Sequence, residues 1–204
     1  MRIADIMTRS VVTTTPATPV KDAAAVLARH GVTLLPVVDD SNQLVGVLTE
    51  ADVVRERIPP DPRRGAWHGS RAGPMPPVTV GEVMSTPALT ANPQTDAADL
   101  ATMMIDRGLR SVPVVNEEQL VGIITRRDLV RTIARDDALI VADVRKRLEC
   151  YGTPDRWAVH VHHGAVTITD QYNDPTDHHV ALVLAQSVPG VVHAEVMHAT
   201  SQLA

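Results

Sequence analysis

Leu120-Val121-Gly122-Ile123-Ile124-Thr125-Arg126-Arg127-Asp128-Leu129-Val130-Arg131 decides the fold, because the chain writes it twice. Leu44-Val45-Gly46-Val47-Leu48-Thr49-Glu50-Ala51-Asp52-Val53-Val54-Arg55 stands 76 positions earlier with the same glycine and the same Thr-x-x-Asp. The short β-branched run reads as a buried strand, and Thr-x-x-Asp reads as the mouth of a helix.

Outward from this stretch, residues 5–57 align with 82–133 at a shift of 77, which falls to 76 after a one-residue gap near Asn42. Asp5-Ile6-Met7-Thr8 matches Glu82-Val83-Met84-Ser85, and Gly31-Val32-Thr33-Leu34-Leu35-Pro36-Val37-Val38 matches Gly108-Leu109-Arg110-Ser111-Val112-Pro113-Val114-Val115. This is an internal duplication. Each copy predicts a short strand, a helix, a two-stranded hairpin and a second helix. Thr18 is the expected N-cap of the first helix, with Pro19 at its first position. Val20, Ala23, Ala24, Leu27 and Ala28 then recur at helical spacing, as do Ala97, Leu100, Ala101, Met104 and Ile105. Gly31 and Gly108 are expected to stop these helices in the left-handed conformation. Neither half has enough helix to cover its own sheet, so the copies are expected to pack as one pseudo-twofold α/β unit. The stretch from Ile58 to Pro77 is rich in proline, glycine and arginine and reads as a linker over 59–80, with Trp67 inside it.

The 204 residues are 44% apolar and 21% charged, ordinary for a globular protein with a sizeable core. Phe is absent, so Val, Leu, Ile, Ala and Met must fill that core. The net charge of −5 offers no basic footprint for nucleic acid. No apolar run approaches the ~18 residues a membrane span needs. The single cysteine, Cys150, forbids an internal disulfide. With Met1-Arg2-Ile3-Ala4-Asp5 lacking a signal-peptide core, these features lead us to expect a cytoplasmic protein.

Thr-x-x-Asp has two readings. As a capping box, the threonine accepts from backbone N–H groups while the aspartate reaches back to the cap. As a ligand site, unpaired N–H groups and the threonine hydroxyl meet a phosphate, and the carboxylate accepts from the cis-hydroxyls of a ribose. Its repetition in one strand–helix context favours a mononucleotide pocket.

Met-Thr/Ser, Gly-x-x-x-x-Pro-Val-Val and Leu-Val-Gly-x-x-Thr-x-x-Asp, each present in both copies, resemble a tandem pair of cystathionine β-synthase (CBS) domains, the Bateman module. The resemblance covers residues 1–134, as repeats at 1–58 and 81–134. It implies two clefts between the repeats, binding of adenosine-type ligands such as AMP, ADP, ATP or S-adenosylmethionine, and homodimerisation through the pair. It makes Asp52 and Asp128 the ribose acids and Thr49 and Thr125 the phosphate-side hydroxyls. The base is implied to lie against Val12, Thr13, Thr33, Leu35 and Pro36 in one cleft and Leu89, Thr90, Val112 and Pro113 in the other. Arg110, Arg126, Arg127 and Arg131 surround the second site, where the first has Thr33, Glu50, Ala51 and Arg55. A more highly charged ligand is therefore expected at Asp128, with Arg110, Arg126 and Arg127 on its phosphates. The alternative is that these arginines form a solvated face.

Residues 135–204 predict helix, strand, strand, helix, strand. Asp136-Asp137 opens a helix carrying Leu139, Ile140, Val144 and Leu148, and Tyr151-Gly152-Thr153-Pro154 ends it. Trp157, Val159 and Val161 alternate with Ala158, His160 and His162, and His163-Gly164 turns the chain into Ala165–Thr169. A helix over Asp174–Ser187, a break at Pro189-Gly190 and a strand over Val191–Val196 complete a small α+β (α-β-β-α-β) unit. The pattern Val159-x-Val161-x-x-Gly164-x-Val166-x-Ile168 followed by Val188-x-Gly190-Val191 resembles a BON domain, which implies a protein or lipid partner. Asp170 stands where that family has a glycine, leaving the local turn open. Nine acids face five bases here, a formal −4 that argues against an anionic leaflet. Seven of the nine histidines lie in this region, but on polar faces, and we assign no metal.

With no nucleophile–base pair, paired catalytic acids or P-loop, the expectation is a regulatory protein without enzymatic activity or cofactor, sensing an adenosine nucleotide and signalling to the BON-like domain. A constitutive scaffold, in which Thr-x-x-Asp only caps helices, is the alternative.

Overall fold

The computed structural model describes residues 1–55, 57–58, 77–151, 153, 155–172 and 174–199. Most of the expected linker, including Trp67, lies outside the described residues, as do Gly152 and Pro154 of the expected turn. In the first copy, α1 (Val20–His30) is followed by β1 (Leu34–Val38), β2 (Leu44–Thr49) and the short α2 (Glu50–Val54). The second copy has α3 (Ala97–Asp106), β3 (Ser111–Asn116), β4 (Gln119–Thr125) and α4 (Arg126–Ile133). The hairpins β1–β2 and β3–β4 each form a two-stranded sheet.

The strand expected at the start of each repeat shrinks to single parallel bridges, Thr14 with Val37 and Ala91 with Val114. Pro16 and Pro93, two residues on, have no N–H to continue the ladder. Thr18 does not cap α1: its hydroxyl accepts from the Thr15 N–H at 3.3 Å, and Pro19 is the N-cap. The Val20 N–H donates instead to the Val78 carbonyl, and the Ala97 N–H of α3 likewise donates to Met1. Gly31 and Gly108 take positive φ of 60° and 66°, as expected.

These last bonds belong to an exchange that the repeat alone did not reveal. The leading segment of each copy pairs with the other copy: Thr8 bridges Ile123 of β4, and Ser85 bridges Val47 of β2. Gly46 makes the second crossing possible, because a Cβ there would stand 3.1 Å from the Ser85 carbonyl and closer still to the Met84 sulfur. Consequently the chain forms two compact units that cut across the repeats: Met1–Met7, Pro93–Leu109 and Ile124–Ala204 in one, Thr8–Asn92 and Arg110–Ile123 in the other. The core of the latter gathers Ala23, Leu27, Leu35, Val37, Leu48 and Val80. Each large apolar side chain buried there contributes about 1.5–3 kcal/mol.

In the C-terminal region α5 (Asp137–Glu149), β5 (Trp157–His162), β6 (Ala165–Asp170), α6 (Pro175–Gln186) and β7 (His193–His198) follow in the expected α-β-β-α-β order. The sheet order is β5-β6-β7, with β5–β6 antiparallel and β6–β7 parallel. Ile140, Val144 and Leu148 of α5 pack with Ala181 and Ala185 of α6 onto Trp157, Val159, Val166, Ile168 and Ala194. Strand β7 starts two residues later than expected because Val191 still closes a turn onto the Val188 carbonyl. Only Asp136 caps α5, accepting from Ala138 N at 2.7 Å; Asp137 turns to the β5–β6 turn.

Asp170 resolves the turn left open by the sequence. It is fully buried and accepts two parallel bonds from the Arg156 guanidinium, Nε to Oδ1 and Nη2 to Oδ2, each 2.8 Å. Arg156 also reaches Asp177 Oδ2 at 2.7 Å and lies 4.3 Å over the Trp157 ring. Tyr151 donates to Asp177 at 2.6 Å, and His178 Nε2 lies 3.3 Å from Asp170. Burial alone would raise the Asp170 carboxyl; the Arg156 and Tyr172 N–H bonds outweigh it and hold it below the usual range. Bonds from Tyr151 and Arg156 lower Asp177 as well.

Candidate functional site

Thr49 is the last residue of β2 and the N-cap of α2, and Thr125 holds the same place between β4 and α4. In each copy the strand delivers an extended threonine directly to a helix, so the aspartate three residues on folds back over it. Asp52 Oδ2 accepts from Thr49 N at 2.9 Å and Thr49 Oγ1 at 2.6 Å, while Asp52 N donates to Thr49 Oγ1 at 3.3 Å. The second copy repeats this at 2.8, 2.6 and 3.3 Å for Thr125 and Asp128. Both motifs are complete capping boxes. In both, the cap occupies one carboxylate oxygen, Oδ2, and leaves Oδ1 outside it.

Around Asp52 the neighbourhood is assembled by pairing. Thr49 sits opposite Leu34, the Glu50 N–H donates to the Thr33 carbonyl, and the Thr14 N–H donates to the Pro36 carbonyl, which brings the Val12–Thr13 segment alongside β1. Thr33 Oγ1 lies 3.4 Å from Ser111 Oγ. Leu35 is wholly within the core, so only its main chain is available to a ligand. A cavity of about 220 Å³ opens against Asp52, lined also by Arg55, Arg57, Pro77, Glu82 and Val83. Arg57 bonds the carbonyls of Asp52, Val53 and Pro77. The Thr79 N–H and hydroxyl, with the Val78 N–H, keep the Glu82 carboxyl below the usual range. Sequence reasoning missed Arg57 and Glu82. Arg57 falls on Ile133 in the alignment, a difference that marks it, whereas Glu82 falls on the similar Asp5 and gives no such signal.

Of the residues expected at the second cleft, Thr125, Arg126, Arg127, Asp128 and Arg131 lie in the unit that contains α4. Leu89, Thr90, Arg110, Val112 and Pro113 lie in the other. Val112 and Pro113 are buried and Thr90 is exposed. Asp128 is 7% exposed, and Arg131 Nη1 stands 3.6 Å from its Oδ1. Arg126 donates from Nη2 to the Met104 carbonyl at the end of α3 at 2.9 Å. Among the described residues, no group of three or more His, Cys, Asp or Glu side chains could hold a metal.

A model of the CBS domain matches residues 3–58 and 80–135, more than half of the chain. The chain belongs to the CBS-domain family. It is similar to the CBS domain-containing protein YhcV of Bacillus subtilis, 33% identical over 62% of this chain and 81% of that one. An uncharacterized protein of Methanocaldococcus jannaschii, MJ1404, is 34% identical over 65% of this chain, which spans only 32% of it. Among solved structures, CBSX2 from Arabidopsis thaliana superposes with a TM-score of 0.54 at 28% identity, over 65% of this chain and 94% of that one. CBSX2 in complex with AMP matches at a TM-score of 0.52 and 27% identity, over 65% of this chain and 96% of that one. The CBS domain pair of MJ0100, in complex with 5′-methylthioadenosine and S-adenosylmethionine, matches at 0.52 and 25%, over 64% and 98%. These likenesses give residues 3–135 a mixed α/β CBS-pair fold with a twofold repeat. Among the described residues no helix is long and apolar enough to cross a membrane.

Proposed function

We propose that this chain is a regulatory adenosine-nucleotide sensor, organised as CBS repeats at 1–58 and 81–134, a linker at 59–80 and a BON-like domain at 135–204. AMP, ADP, ATP or S-adenosylmethionine binds in the clefts of the CBS pair, and the ligand state passes to the BON-like domain. The observation that carries this reading is the duplicated Thr–Asp geometry, equal within 0.1 Å in the two copies. The AMP complex of a protein of the same fold supports it. Asp52 and Asp128 hold the ribose through the oxygen that the cap leaves, and Thr49 and Thr125 face the phosphate. Arg110 and Arg127 serve a phosphate at the second cleft, and Arg126 joins them on leaving Met104. Val12, Thr13, Thr33, Pro36, Leu89, Thr90 and Pro113, with the main chain at Leu35 and Val112, hold the base. The protein acts in the cytoplasm as a homodimer, catalyses no reaction, and its BON-like domain engages a protein or lipid partner.

Titration calorimetry with AMP and ATP on the wild type, Asp52→Ala and Asp128→Ala tests the assignment. Each substitution should remove one binding event, and ATP should suffer more from Asp128→Ala. Equal losses for ATP would refute the asymmetry. The complete capping boxes also favour a second reading, a constitutive scaffold; it predicts no nucleotide-dependent thermal shift at all.

A further inference from the structure

We infer that α4 connects the Asp128 site mechanically to the C-terminal α-β-β-α-β region, and that Arg135 is the positioning residue that holds the connection. The inference rests on the proposed function in one respect, that Asp128 receives an adenosine ligand. The helix is eight residues long, with Thr125 as its cap and Asp128 in its first turn. Thr132 in its last turn donates to the Asp128 carbonyl at 2.9 Å, so the two ends share a hydrogen bond.

The last turn is closed against the loop between α6 and β7. Gly190 has φ +94°, and a Cβ there would stand 3.2 Å from the Thr132 carbonyl, 3.2 Å from Arg135 Cβ and 2.9 Å from Ile140 Cδ1. Arg135 reaches across this contact, bonding the Pro189 carbonyl and pairing with Asp143 of α5 at 2.6 Å. On its other side the loop meets Gly164, whose Cβ would approach the Gly190 carbonyl to 2.7 Å. Gly164 is fixed in turn, its N–H bonded by Asp137 at 2.9 Å and its carbonyl accepting from Val192 N. The 189–190 turn is therefore clasped by α4, α5 and the β5–β6 turn with no slack for a side chain.

A ribose on Asp128 Oδ1 leaves the Thr125 cap on Oδ2 in place and displaces Arg131, which stands 3.6 Å from Oδ1, and so gives the ligand a differential hold on α4. Close packing then carries a shift of α4 to the 189–190 turn and into β7, because packed contacts do not stretch. Helix α2, which carries Asp52, lies in the other compact unit and makes no part of this clasp. The C-terminal region thus reads the second cleft.

The test is hydrogen exchange on the full chain, with and without saturating AMP, followed over residues 188–198, alongside calorimetry. In the wild type and in Asp52→Ala, AMP should change exchange there by about fivefold, a coupling at the modest end of the usual range. Asp128→Ala should abolish the change. Arg135→Gln should keep AMP affinity within about twofold, accelerate exchange at 188–198 without ligand, and lose most of the AMP response. Asp143→Asn, which leaves the Pro189 bond in place, should give a partial loss and stands in if Arg135→Gln fails to fold. A full AMP response in Arg135→Gln, or AMP binding that leaves 188–198 unchanged in the wild type, overturns the inference while the proposed function survives. Failure of AMP to bind the wild type removes both.

Discussion

Replacing Asp170 with Asn probes the only fully buried carboxylate among the described residues. Asp170 is 0% exposed and its partner Arg156 is 12% exposed, so both bonds of the bidentate pair are sheltered from water. Removing one member of such a pair costs about 3–5 kcal/mol, mainly because the other charge is left buried and unpaired. Here Arg156 keeps Asp177 at 2.7 Å and the Trp157 face at 4.3 Å, which places the loss near the lower end. We expect about 3 kcal/mol for Asp170→Asn. Asp177, at 24% exposure, sits at the rim of the cluster, and Asp177→Asn should cost much less than Asp170→Asn. Two readouts check this. In a Trp67→Phe background, Trp157 is the single tryptophan, and its fluorescence during urea unfolding gives the loss directly. Hydrogen exchange in β5 and β6 should accelerate about a hundredfold, since each 1.4 kcal/mol is a factor of ten. An Asp170→Asn protein that unfolds within about 1 kcal/mol of the wild type, or no more easily than Asp177→Asn, would show the pair to be worth no more than a surface contact.

The same cluster sets an acid limit. Asp170 and Asp177 are both held below the usual carboxylate range, so their stabilisation is complete above the unfolded value of about 3.9 and is lost as pH falls through the folded values. The Trp157 signal should therefore be flat from neutral pH to about 5 and collapse below about 4, a collapse that Asp170→Asn should weaken. Thr125→Val removes the cap hydroxyl and should destabilise by about 1 kcal/mol in denaturant, whereas Thr125→Ser should retain both stability and AMP affinity. A valine variant that binds AMP as well as wild type would confine Thr125 to capping. Gly164→Ala places a methyl 2.7 Å from the Gly190 carbonyl at a φ of +76° and should cost more than about 1 kcal/mol, read as a lower melting temperature; an unchanged melting temperature would mean that the turn can yield.

The repeat was legible because it is written in small apolar residues and glycine, whose spacing maps onto burial regardless of what the surface does. Both hairpins, all six α-helices and the order of the C-terminal elements followed from the spacing of apolar residues. The exchange of leading segments did not, since Thr8 and Ser85 make one bridge each and leave no periodicity to read. Arginine partners were also illegible. Arg126 finds a carbonyl 22 residues away and Arg57 one 20 residues away, reaches that long side chains make and local sequence does not encode. Asp170 shows the opposite case. Its departure from the glycine that the BON resemblance leads one to expect was visible, but its meaning needed Arg156 across the hairpin. The two Thr–Asp capping boxes were legible in the sequence, while the cavity at Asp52 depends on Pro77, Glu82 and Val83 from around the start of the second copy.

The crossed leading segments make each repeat an incomplete object. Cut at residue 58, the first copy would keep Thr8 but lose Ile123, and its own Val47 would face water where Ser85 now pairs. Two such fragments carry the missing pieces for each other, since Thr8 of one stands where Ser85 stands for the other. A single expressed repeat should therefore assemble in pairs by trading these segments, with the covalent linker replaced by mass action. The tandem chain is that pair made permanent. Arg57, where the second copy has Ile133, differs without touching that trade, since neither residue takes part in the bridges.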